Sequence, residues 1–181
     1  MTDKKSMWNE AGLAGLVLGG VSVAYLVLTA ITGKVAADNT GLSFLMAGLN
    51  LLLWIAKFCA CIFLFRHFLK KRSISDPQAD NNAIFRFGAA AALLSSLVYS
   101  ACYLAYFKFF APDMIEQVLD TLSSNPMMDS NSMDAVNQMM PKMPVYMFFV
   151  NFFYCWGFGT ILSAIFSRNI PTVNPFANDE K

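Results

Sequence analysis

Charge is scarce in this chain: 14% of its 181 residues are Asp, Glu, Lys or Arg, and they sum to a net charge of only +1. A balance so close to neutral projects no field to attract nucleic acid. Histidine is nearly missing too, since His67, beside Arg66, is the single copy. The apolar runs hold no carboxylate pair, no nucleophile has a base at motif spacing, and no glycine-rich phosphate loop follows a soluble strand. The pattern therefore predicts a non-enzymatic protein without a cofactor. All four cysteines, Cys59, Cys61, Cys102 and Cys155, fall inside apolar runs, where they act as small hydrophobes rather than as a disulfide framework. Cys59 and Cys61 stand two apart and diverge around a helix, which is poor geometry for a shared metal.

Apolar residues are what the chain has in excess, at 56%. They gather into four stretches, 11–32, 42–65, 87–107 and 145–166, each long enough to cross a hydrocarbon core of about 30 Å as a helix. The expected fold is all-α: an integral membrane four-helix bundle forming one domain over 1–181. Lys4 and Lys5 precede the first run, Arg66, Lys70, Lys71 and Arg72 follow the second, Arg86 precedes the third and Arg168 follows the fourth. Basic residues mark the cytoplasmic face, so both termini are expected there. Val35-Ala36-Ala37 offers a small-residue cleavage signal, but the run before it is longer than a signal-peptide core, and a retained first helix is expected. Residues 67–82, with Asp76-Pro77, read as a solvated turn, and 169–181, with Pro171 and Pro175, as a flexible cytoplasmic tail.

Between the third and fourth runs, residues 111–144 keep a helical rhythm without enough apolarity to span. Pro112 stands at a helix start with Asp113 and Glu116 in the first turn, and Met114, Ile115, Val118, Leu119 and Leu122 share one face. Beyond Ser123-Ser124-Asn125-Pro126, residues Met133, Val136, Met139 and Met140 predict a second short helix, ended by Pro141 and Pro144. Together these form an extracytoplasmic amphipathic cap. Met127, Met128, Met133, Met139, Met140, Met143 and Met147 concentrate there, and thioethers are soft ligands suited to copper(I). Methionine also fills irregular apolar surfaces without any metal, and no metal site is assigned.

Small residues recur every fourth position at Ala11, Gly15 and Gly19 in the first run and at Gly88, Ala92, Ser96 and Ser100 in the third, with Gly159 and Ser163 in the fourth. Such stripes let helices approach closely, within one chain or between copies. Lys57 is harder to place, because it lies near the middle of the second run, where a lone charge costs at least ~2.5 kcal/mol. Asn50, Trp54, Lys57 and Cys61 share its stripe, and Asn151 of the fourth run lies at a depth to add a carbonyl. Lys57, Asn50 and Asn151 are the candidate intramembrane polar site. Two roles follow: an accessory or scaffold subunit engaging another membrane protein or itself, or a small-solute or ion transporter component built on Lys57.

Phe107-Lys108-Phe109-Phe110-Ala111-Pro112-Asp113-Met114-Ile115-Glu116-Gln117, the Met-rich segment after it and Asn174-Pro175-Phe176 give the chain a further likeness. It resembles domain-of-unknown-function family 4199. The resemblance implies a small bacterial inner-membrane protein of four helices, common in Bacteroidota, with an amphipathic insertion before the last helix and no established activity. Asn81-Asn82-Ala83-Ile84-Phe85-Arg86 stands where that family often has a glycine-glycine-tyrosine entry.

Overall fold

A computed structural model describes residues 2–36, 40–76, 79–109, 120–121, 123 and 130–170, and within these the side chains of 6–33, 44–76, 79–109, 120–121, 123 and 134–170. The described residues form helices α1 (Thr2–Ala36), α2 (Thr40–Ser75), α3 (Asn81–Phe109), α4 (Ser130–Met139) and α5 (Met143–Asn169), with a 3₁₀ turn at Met140–Lys142. Four apolar helices, Ser6–Gly33, Phe44–Ser75, Asn81–Phe109 and Asp134–Asn169, are long enough to cross a membrane. The all-α membrane bundle is thus the observed fold. Large apolar side chains face outward all along it, as Phe44 at 82% and Phe63 at 72% exposure illustrate. In water such a surface would be an aggregation site; in hydrocarbon it costs nothing.

Each helix outlasts its apolar run. α2 has 36 residues, about 54 Å at 1.5 Å per residue, and continues to Ser75, into the segment 67–82 expected to be a turn. The difference has a packing cause: Leu69 is buried against the Gly88 surface of α3, Phe68 packs beside it, and Arg72 reaches one turn ahead to Asp76 at 3.0 Å. Asp80 then opens α3, its Oδ1 accepting the Ala83 N–H at 2.6 Å. At the other end of the chain Ile170 leaves the helix in extended conformation while its N–H still bonds to the Phe166 carbonyl, because Pro171 follows and disfavours a helical residue before it.

The expected amphipathic helix around Met133–Met140 is α4. Pro141 and Pro144 do not end the helical path; they are the second residues of the 3₁₀ turn and of α5, within the first turn, where a missing N–H is harmless. Residues 111–119, 122 and 124–129 of the expected cap, and the tail from 171 to 181, lie outside the described residues.

The small-residue stripes build the bundle's tightest seams, and they do so within the chain. A Cβ on Gly15 would meet Leu94 Cβ at 2.7 Å and one on Gly19 would meet Val98 at 2.9 Å, so α1 lies directly against α3. On the other side of α3, Gly88 faces Ser163, Gly159 faces Ala92, and Ser163 Oγ donates to the Phe85 carbonyl at 3.0 Å. Ala11, Ala92, Ser96, Ser100 and Ser163 are all buried. α3 therefore runs parallel to α1, antiparallel to α5, and forms the centre.

α2 is held differently. Glu10 accepts from Arg72 at 3.1 Å, Ser22 meets Cys61 at 4.0 Å, Lys57 meets Tyr25, and Thr32 Oγ1 donates to Asn50 Oδ1 at 2.6 Å. These four pairs keep one antiparallel register along the whole of α1 and α2. Against α5, by contrast, α2 makes little contact beyond the Phe58 and Phe158 rings, 5.5 Å apart.

Candidate functional site

Lys57 points into the bundle. Its Nζ sits between two tyrosine faces, 4.9 Å from the ring centre of Tyr25 on α1 and 4.8 Å from that of Tyr99 on α3. A cation over an aromatic ring gains about 0.5–2 kcal/mol, so two rings together supply an energy of the same order as the ~2.5–3.5 kcal/mol cost of a lysine at mid-membrane. No acid is required at that depth. Glu10, the nearest carboxylate along the sequence of α1, is engaged by Arg72 at the basic end of the bundle.

The rings leave the ammonium's N–H groups without an oxygen acceptor among the described residues, and Lys57 is one of the residues lining a chamber of about 160 Å³. Ser22, Cys61, Ser96, Cys155 and Phe158 also line it. Ser22 and Ser96 spend their hydroxyl protons on the Leu18 and Leu93 carbonyls of their own helices, whereas Trp54, Ser95 and Tyr154, which also line the chamber, bring a neutral N–H or O–H donor each beside the charged Lys57. Trp54 stacks on Phe58 at 5.8 Å, and Phe58 in turn meets Phe158, so aromatic rings close the side between α2 and α5.

The other two expected members of the site lie elsewhere. Asn50 is two turns from Lys57 and accepts from Thr32, while Asn151 donates from Nδ2 to the Met147 carbonyl of its own helix at 3.0 Å. Both serve helix contacts rather than the lysine. Tyr25, Tyr99 and Ser22 take their place. The signal for them was the pairing of a small polar residue with a tyrosine three positions on, Ser22-Tyr25 and Ser96-Tyr99, on the very faces that carry the packing stripes.

Among the described residues no group of three His, Cys, Asp or Glu side chains could hold a metal ion. Of the outer methionines, Met139 is exposed and Met140 buried, so these two do not converge, and Met127, Met128 and the side chain of Met133 lie outside the description.

A bundle of four apolar helices with one lysine on the wall of a small, mostly apolar chamber defines a multi-pass membrane protein. The chain belongs to DUF4199, a family of proteins of unknown function, whose model matches residues 13–168. No curated protein and no solved structure matches it.

Proposed function

We propose that this is a non-enzymatic protein of the bacterial inner membrane, with both termini in the cytoplasm, that serves as a component of a small-solute or ion transporter. Its solute rests at Lys57. The observation that carries this reading is an ammonium that meets ring faces and no oxygen acceptor among the described residues, on a lysine that lines a chamber; a carboxylate, phosphate-like anion or carbonyl would supply that acceptor. The arrangement of basic residues at the end where α1 begins and α5 finishes supports the assigned orientation. Four helices enclose only a narrow space, so transport would involve a second copy or another membrane protein.

A scaffold role has less to stand on, because the small-residue stripes that would recruit a partner are spent inside the bundle. The outward faces of α2 and α5 remain as its surface.

The test is access to position 57. In a protein whose four cysteines are replaced by serine, Lys57→Cys is expected to react with a membrane-impermeant maleimide from at least one side of sealed vesicles. Inertness from both sides, with the melting transition retained, would overturn the transport reading.

A further inference from the structure

A second cavity lies at the basic end of the bundle, separate from the Lys57 chamber, and the geometry points to it as a binding groove for one aminophospholipid of phosphatidylethanolamine type. The groove encloses about 640 Å³, within the range of ligand pockets, and is open along one side. Its floor is a strip of α3 made by Phe85, Ala89, Ala90 and Leu93, and Trp8 of α1 and Trp156 of α5 stand along it. From Phe85 to Leu93 that strip runs about 12 Å into the membrane, and alanine keeps it shallow enough to admit an acyl chain.

The polar end fits a zwitterion. Arg86 lines the groove, is exposed, and makes no ion pair among the described residues, so its guanidinium is available to take a phosphate. Arg72 is not free in this way, since Glu10 and Asp76 hold it at 3.1 and 3.0 Å. Asp76 Oδ2 is occupied by Arg72, and the other carboxylate oxygen remains beside the groove to accept from a primary ammonium. Glu10 does not line the groove but pairs with Arg72, and counting it, Arg72, Arg86, Glu10 and Asp76 carry no net charge, which matches a headgroup bearing both signs better than one bearing a negative charge alone. A quaternary choline has no N–H to give Asp76.

Native mass spectrometry of the detergent-purified full chain, supplied with equal dioleoyl phosphatidylethanolamine, phosphatidylcholine and phosphatidylglycerol, reads this directly. The wild type is expected to retain one phosphatidylethanolamine in preference to the other two. Arg86→Gln should lower that retention about tenfold, the value of one charge-assisted hydrogen bond. Ala89→Phe, which fills the floor, should lower retention of all three lipids, and Asp76→Asn should abolish the preference for ethanolamine over choline while leaving lipid bound. Equal retention of the three lipids by the wild type, or unchanged retention by both Arg86→Gln and Ala89→Phe, would overturn the proposal. None of these substitutions touches the Lys57 chamber, so either reading can fail without the other.

Discussion

Adding one methyl group at Gly88 would drive it into Ser163 Oγ and the Leu69 side chain, whereas nothing lies within 4 Å of a Cβ at Gly12. Gly88→Ala is therefore expected to cost about 1–3 kcal/mol, as overpacking does, and Gly12→Ala to leave stability unchanged. Thermal melting in mild detergent checks both, and equal melting temperatures would refute the close α3–α5 approach. The stripes were legible because a four-residue recurrence of Gly, Ala and Ser is a property of one helix at a time. The partners of Lys57 were not. Its own stripe offered Asn50, but two turns of helix put about 10 Å between them, beyond hydrogen-bonding reach. Tyr25 and Tyr99 belong to other helices, and which rings meet a lysine depends on interhelical register, which periodicity within a run does not contain. Lys57→Met tests what the rings contribute: as the sandwich offsets the cost of the charge without exceeding it, stability should change by less than about 1.5 kcal/mol. A loss several times larger would mean that Lys57 is a structural staple and would count against a solute site.

At the scale of elements, the contrast is between seams made by small residues, α1–α3 and α3–α5, and the α1–α2 seam made by polar pairs. The latter makes a positional forecast. Ser22→Cys, placed opposite native Cys61 in a chain lacking the other cysteines, should be bridged by the shortest bifunctional thiosulfonate, while Gly12→Cys should not. Absence of the Ser22→Cys product would show the register to be wrong. Arg72→Ala removes both ion pairs at the basic end; with the arginine side chain only 11% exposed but its partners more open, about 1–2 kcal/mol is expected, between the values for exposed and buried pairs. That loss should shrink in high salt, because screening already weakens the pairs in the wild type. The extension of α2 to Ser75 escaped sequence reasoning for a related reason: Lys70, Lys71 and Arg72 signal solvent and orientation, yet they are also good helix formers, and Leu69 against Gly88 decides in favour of helix.

For the whole molecule, hydropathy alone specified the number of crossings, since a helix is the only local way to satisfy backbone groups in lipid. The order of the helices around the bundle was not readable from hydropathy, because four runs of similar apolarity can be arranged in several ways. Glycine contacts and polar pairs choose one, with α3 in the middle. Impermeant labelling of cysteines introduced before α1 and after α5 should find both on the same, cytoplasmic side of the membrane; labelling from opposite sides would contradict an even number of crossings.

The central place of α3 sets a problem of timing for synthesis. Its glycine and serine surface is one of the last to acquire a mate, because Gly159 and Ser163 emerge from the ribosome some seventy residues after Gly88, with ~70 the simple sequence interval. Until then the first three helices present an unsheathed groove to the bilayer, bearing the Phe85 carbonyl that Ser163 later caps. A nascent chain interrupted before α5 would thus leave this surface of α3 facing lipid, and the last helix acts as the seal that ends the exposure.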